Sequence, residues 1–302
     1  MGGQLKGNLA LIGMIRLMRL RQLRTLLVVF NLIVLMVVAA GSRTAPVVQY
    51  EVYAVRFATL PGCPVHFLVQ GPDDGRKIVL TMTFWVIKGG GRVILFDSGF
   101  YRDKVRKDYP ANDFIRPSEV IAELKIKPED VTDVVISHIH NDHVDGADLF
   151  PKARVWMQRE EYGHYVADAL RTGKNVEGAD PLDVSALALI NKSGRLSFVN
   201  GDSQEIFPGI TCYIGGKHTW QSQYLGVQTR RGIVVLASDN VYLFENLEKH
   251  LPITATLDAK SNLAAQDRMK SLAASPDLII PGHDPKVFSR FPKVSPHVVR
   301  ID

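Results

Sequence analysis

Two cysteines in 302 residues are too few for a disulfide scaffold or a thiolate-built zinc site. Cys63 and Cys212 show no metal-ligand spacing. Cys212 alternates with apolar neighbours in a predicted strand and reads as a buried thiol; an exported chain would permit a bridge, but the spacing does not show that the two meet. Acidic side chains are missing altogether from residues 1–45. No apolar run reaches the roughly 20 residues of a membrane-spanning helix: the stretch from Leu26 to Ala40 is short and is broken by Asn31. Internal repeats and low-complexity tracts are also lacking, which leaves solenoids and disordered linkers without support.

What the first 45 residues do contain is Lys6, Arg16, Arg19, Arg21, Arg24 and Arg43, then the apolar stretch and Val38-Ala39-Ala40-Gly41-Ser42. A basic start, a short apolar core and small residues after it read as a secretory signal, with cleavage expected near Ala40 and a retained membrane anchor as the alternative. Either outcome exports the rest of the chain to the periplasm or beyond, with the arginines left on the cytoplasmic side. The charge balance follows. Removing those six cations leaves 30 Lys and Arg against 31 acids, so the basic pI belongs to the targeting segment, and the footprint of a nucleic-acid binder is not there. Residues 46–302 suit one large domain.

Three of the nine histidines fall within six residues. Ser137-His138-Ile139-His140-Asn141-Asp142-His143 follows the β-branched run Val131 to Ile136, which reads as a buried strand ending in a loop. His138 and His140, two apart in extended backbone, face the same way and can chelate one ion. Asp142 and His143, past a turn, can face a second. Imidazole and carboxylate suit zinc and its first-row neighbours; a His-rich surface loop is the bland account. Three further metal-competent side chains follow predicted strands: His218 after Ile210–Ile214 and a Gly-Gly turn, Asp239 after Gly232–Ala237, and His283 after Leu278-Ile279-Ile280-Pro281-Gly282.

With those residues in view, the chain after residue 75 resembles the metallo-β-lactamase-fold superfamily. The resemblance implies two divalent metal ions, zinc by expectation. His138, His140 and His218 would hold the first, Asp142, His143 and His283 the second, and Asp239 would bridge them. Asp97, in Leu95-Phe96-Asp97-Ser98-Gly99, matches an early Asp-Thr-Gly-like motif and is expected to support the site without binding metal. Asp239-Asn240-Val241-Tyr242 resembles the Asp-x-x-Tyr of the N-acyl-homoserine lactonases, the quorum-quenching lactonases, in which the tyrosine hydrogen-bonds the substrate carbonyl. Gly282-His283-Asp284 with Phe291-Pro292 also looks like that family's C-terminal signature. Tyr242 read on its own is equally a tyrosine packed after a strand.

The expected class is α/β, a four-layer α/β/β/α sandwich. Strands are predicted at 47–57, 63–69, 78–87, 93–96, 131–136, 153–157, 195–199, 210–214, 224–229, 233–237 and 278–280. Helices are predicted at 118–124 with Ser118 as cap, 160–170, 181–190 with Asp180 as cap, and 259–274. Tyr162, His164, Tyr165 and Leu170, in the segment between the ligand clusters, are candidates for an acyl-binding wall. Phe100, Tyr101 and Trp220 are others, and all seven can equally be packing residues.

The chemistry expected of such a metal pair is hydrolysis: a shared hydroxide attacks a carbonyl, by expectation that of a small lactone, while Tyr242 donates to the oxyanion and Asp142, or a metal-bound water, supplies the proton of the leaving oxygen. His140 and the lack of a flavin domain set the chain apart from the redox members of the superfamily, and a bridging Asp239 from its true β-lactamases. A glyoxalase II-like thioesterase, another esterase or a phosphodiesterase remains the alternative, and a non-catalytic metal-binding protein is the reading from a different class. Acyl-chain preference and oligomeric state are not written in these residues.

Overall fold

The computed structural model describes residues 48–302 and, of the N-terminal segment, residues 14, 16–28 and 30. The chain divides into two units, 1–47 and 48–302. In the first, residues 16–28 are helical and exposed, and no helix among the described residues is long and apolar enough to cross a membrane. The expected cleavage position near Ala40 lies outside the described residues.

The second unit is built on two sheets. β1 (Glu51–Pro64), β2 (Lys77–Gly89), β3 (Arg92–Phe96), β4 (Asp133–Val135), β5 (Arg154–Gln158) and β6 (Leu196–Val199) belong to the larger. The smaller comprises β7 (Gln204–Phe207), β8 (Ile210–Ile214), β9 (Gln223–Thr229), β10 (Gly232–Ser238) and β11 (Ile279–Pro281). Two short strands, β12 (Lys293–Ser295) and β13 (Val298–Arg300), return to the larger sheet, whose order is β12-β13-β1-β2-β3-β4-β5-β6; the other runs β11-β10-β9-β8-β7. β1, β2 and β3 are antiparallel, whereas β3 to β6 are parallel. The β2–β3 connection is the Gly90-Gly91 turn, both residues at positive φ, as a two-residue hairpin demands.

Alternation along the strands sorts side chains between layers. Ala54, Trp85, Ile94 and Val135 face inward and meet Cys212, Leu225, Val227, Val234 and Leu236 of the smaller sheet. Val55, Phe84, Leu95, Val134 and Val155 face the other way, against Ile121, Val184, Leu187 and Ile190. The helix Ala259–Leu272 covers the outside of the smaller sheet with Ala265 and Met269 against Tyr224, Val235 and Ile279. The result is the expected α/β/β/α sandwich.

Several local expectations are revised. The predicted break at Leu60-Pro61-Gly62 does not end β1, because register shifts between Arg56 and Ala58 and between Leu60 and Cys63 absorb it; Val65–Phe67 then forms a short 3-10 turn and not a strand. Ser118 is not a cap. That helix starts at Pro117 with Arg116 before it, and passes into a 3-10 turn at Ile121–Leu124. Asp180 does cap its helix, accepting from Leu182 N at 2.8 Å. β7, β12, β13 and the helix Phe244–Lys249 were not legible. Cys63 and Cys212 are both free thiols, in different clusters.

Candidate metal centre

The parallel strands set the site, because the loops leaving their C-terminal ends converge at one edge of the sandwich. β3 delivers Asp97 and β4 delivers His138 and His140. Asp142 and His143 occupy the first turn of the short helix Asn141–Val144. From the smaller sheet, β10 delivers Asp239, β11 delivers His283, and the β8–β9 connection delivers His218. The structure therefore brings all seven residues together, in two groups that could each hold a metal ion: His138, His140, His218 and Asp239; and Asp142, His143, Asp239 and His283.

In the first group His138 Nε2, His140 Nδ1 and His218 Nε2 form a near-equilateral triangle with edges of 2.9–3.1 Å. Asp239 Oδ2 stands 3.4 Å from His218 Nε2 and 3.8 Å from His138 Nε2. Its other oxygen, Oδ1, belongs to the second group, 3.2 Å from His143 Nε2 and 2.9 Å from His283 Nε2. Asp142 Oδ2 lies 3.3 Å from His143 Nε2 and 3.6 Å from His283 Nε2. One carboxylate thus offers an oxygen to each group.

Four of the five rings are locked by their other nitrogen. His138 Nδ1 is 2.8 Å from Ser137 Oγ, His143 Nδ1 is 2.8 Å from Asp97 Oδ2, His218 Nδ1 is 2.7 Å from the Ala255 carbonyl, and His283 Nδ1 is 2.9 Å from that of Thr81. Each contact fixes the ring and leaves Nε2 as the ligand atom. Asp97 is the hub of this layer: it also accepts from Ser137 N, Ser137 Oγ and Ser238 Oγ. Asp97 and Ser238 both hold positive φ, uncommon for residues with a Cβ and a sign of backbone constrained by its surroundings.

The donor set fits a pair of cations. His143 Nε2 and Asp239 Oδ1 are buried and make no hydrogen bond, an arrangement costly for polar atoms unless a ligand meets them. Three nitrogens and an oxygen, and two nitrogens and two oxygens, suit zinc and its neighbours better than calcium or magnesium. A tetrahedral zinc with bonds of about 2.0–2.1 Å separates its nitrogens by about 3.3 Å, close to the triangle observed. Burial, then the neighbouring rings of His143, His218 and His140, hold His138 well below the usual histidine range. Burial and His218 bring His140 down to about 4. Both are therefore neutral, as ligands must be. In the second group burial opposes charge on His143, but Asp142, Asp239 and Asp97 outweigh it and raise that ring well above its usual value. This half of the site calls for a positive charge.

A cleft of about 470 Å³ opens onto both groups. His140, Asp142, His218, Asp239, His283 and Tyr242 form its floor, and Leu60, Cys63, Leu68, Leu80, Met82 and Tyr109 form most of its walls. The Tyr242 ring packs 5.7 Å from that of His218 and 5.8 Å from that of His283. Its hydroxyl has no hydrogen-bond partner among the described residues. The expected wall lies elsewhere: only Gly178 of the segment 159–194 borders the cleft. Tyr162 bonds Asn191, Tyr165 receives Trp220 N, and His164 stacks on Trp220 with ring centroids 4.4 Å apart. Leu170 is exposed, Phe100 is core, and Tyr101 is bonded to Asp145 and Asp148. The apolar walls come instead from β1, β2 and the turn after β1.

The most consequential residue that the sequence did not signal is Glu161. It is buried and accepts from Ile139 N at 3.1 Å, Thr219 Oγ1 at 2.6 Å and Gln221 N at 2.6 Å. One carboxylate therefore ties the His138–His140 loop to the His218 loop. Glu161→Gln replaces one acceptor oxygen by a donor. Affinity for the three-histidine group is expected to fall about 10- to 100-fold, read by chelator competition, with the second group much less affected. Gly146 is the other silent requirement. A Cβ there would sit 2.2 Å from the Ser98 carbonyl, between the His143 helix and the Asp97 loop, so Gly146→Ala is expected to cost about 2–4 kcal/mol in denaturant unfolding.

A sandwich with two ligand clusters at its strand ends is built to hold metal, and the proteins it resembles are metal-dependent hydrolases. The metallo-beta-lactamase superfamily profile matches residues 82–283, and the chain belongs to that superfamily. Among its relatives, the N-acyl homoserine lactonase of Bacillus cereus is 26% identical over 192 residues, covering 63% of this chain and 70% of the relative. An N-acyl homoserine lactone hydrolase structure with N-hexanoyl-L-homoserine at its catalytic metal center superposes with TM-score 0.65 at 20% identity, over 83% of this chain and 99% of that one. A dizinc quorum-quenching lactonase with bound product gives TM-score 0.57 at 16% identity, over 78% and 88% respectively.

Proposed function

We propose that the protein is a dinuclear-metal lactonase that opens N-acyl-homoserine-lactone-type rings. The observation that carries this reading is the position of Tyr242: an unpartnered hydroxyl in the floor of an apolar cleft, beside ligands of both groups. His138, His140, His218 and Asp239 Oδ2 would hold one cation, and Asp142, His143, His283 and Asp239 Oδ1 the other. Bound there, the two cations supply an activated water and polarise the substrate carbonyl. Burial, then the charges of Asp239 and Asp142, push the Tyr242 phenol well above its ordinary value, so it stays protonated and donates to the developing oxyanion. Asp142, which borders the cleft, takes the proton lost by water and returns it to the ring oxygen as the C–O bond breaks. Leu60, Leu68, Leu80 and Met82 offer apolar walls to an acyl chain and exclude water from it.

The test is turnover by the metal-loaded full chain on acyl-homoserine lactones, thioesters, β-lactams and phosphodiesters side by side. Preference for lactones by kcat/KM supports the reading; preference for thioesters or phosphodiesters overturns it while leaving the metal centre intact. The basic and apolar character of residues 1–45 supports placement of this activity outside the cytoplasm, which fractionation of the expressing cell would check.

A further inference from the structure

The end of the larger sheet opposite the metal centre is not blank. A groove of about 770 Å³ crosses the N-terminal ends of the parallel strands, and Arg92, Lys152, Arg154 and Arg195 line it. Its one acidic lining residue, Asp133, is already paired with Arg92 at 2.8 Å and accepts from Trp156 Nε1. Three of the cations are held in place, Arg195 by donating to the Ala153 carbonyl at 2.9 Å. The Arg92 guanidinium lies 4.2 Å from the centre of the Phe207 ring, and Arg154 bonds Ser197 Oγ at 2.9 Å. Lys152 is exposed and makes no hydrogen bond or ion pair among the described residues. Overall the domain is close to neutral, so this concentration of positive charge is local.

The place of the groove matters as much as its charge. β1 begins at this end of the sheet, and Tyr50, just before it, donates its hydroxyl to the carbonyl of Pro208, another groove residue. The described domain therefore begins beside the groove, and the catalytic cleft opens at the far end of the strands.

We propose that this groove seats the exported domain on anionic phospholipid headgroups, turning the catalytic cleft away from the bilayer. Headgroup phosphates match the charge, and each basic residue near such a surface multiplies binding about fivefold. The proposal rests on export of the domain behind residues 1–45 and not on the lactonase reading.

The experiment uses the full chain reconstituted in vesicles of phosphatidylcholine alone, or of phosphatidylcholine mixed equally with phosphatidylglycerol. Hydrogen exchange is followed at residues 150–156 and 204–210, which border the groove, and at 138–143 as an internal reference. Exchange at the groove is expected to slow about tenfold or more in the anionic vesicles only. Raised salt and the exposed double variant Lys152→Glu/Arg154→Glu should abolish the slowing, while turnover of a water-soluble substrate stays unchanged. Equal exchange in both lipids overturns the proposal. So does protection by inorganic phosphate alone, which would mark a small-anion site. Protection that grows with protein concentration in detergent would assign the groove to a second copy and overturn it as well.

Discussion

Asp239→Asn is expected to disable both halves of the metal centre at once, lowering kcat/KM about 10³-fold or more and leaving at most one tightly held metal per chain. Its two oxygens serve different groups, Oδ2 toward His218 and His138, Oδ1 toward His143 and His283. Asparagine keeps one acceptor and turns a donor toward lone pairs that need a cation, so whichever way the amide settles, one group loses an oxygen. It also removes the negative charge shared between two metals. Burial alone would push the Asp239 carboxyl up, but His143 and His283 hold it well below the usual range, so the native residue is an anion. Metal analysis after gel filtration, beside kcat/KM, checks the prediction. An Asp239→Asn variant that keeps two metals and full turnover would dismiss the bridging role.

Contrast with His140 sharpens the point. His140 belongs to one group only, is the least buried of the first-group ligands, and its Nε2 lies against Gly178. Its removal should weaken one metal and spare the other. A site in which either substitution gave the same metal loss would not be two groups joined by a carboxylate.

The ligands were legible because their chemistry is rare and because each follows a strand. Apolar runs such as Ile233–Ala237 announce a buried strand, and a polar residue immediately after one sits where a loop displays it. The two-layer sheet arrangement was legible for the same reason, through alternation. What supports the ligands was not. Glu161 stands in Arg159-Glu160-Glu161, a charged run that looks like a solvated helix face, and nothing local says that one of the two glutamates is buried against amides 22 and 60 residues away. The cleft walls escaped for a related reason. Leu60, Leu80 and Met82 are ordinary apolar residues of a strand pair, Leu68 follows the turn after it, and only the extension of β1 through Pro64 brings them over the metal centre. β13 was missed because Val298–Arg300 is too short to show a period, although it pairs with β1 at Tyr53–Val55.

Tyr242→Phe is the second large effect, and it separates chemistry from packing. The ring is buried between His218 and His283 and packs with Val65, Leu68, Leu80 and Ile253. Phenylalanine preserves that apolar surface. Only the hydroxyl disappears, and since it bonds to no described residue, its loss leaves no buried partner unsatisfied. Stability should therefore change by less than about 1 kcal/mol. Turnover is a different matter. A single oxyanion donor in a site shielded from water is worth about 10²–10³ in kcat, so kcat should fall by that factor on a lactone. KM should move little, because the ground-state carbonyl needs the hydroxyl less than the tetrahedral intermediate does. Metal content should remain at two per chain. A variant that melts early at unchanged kcat would make Tyr242 a packing residue. A variant that loses metal along with activity would mean that the ring holds His218 and His283 in place, with no donation to substrate.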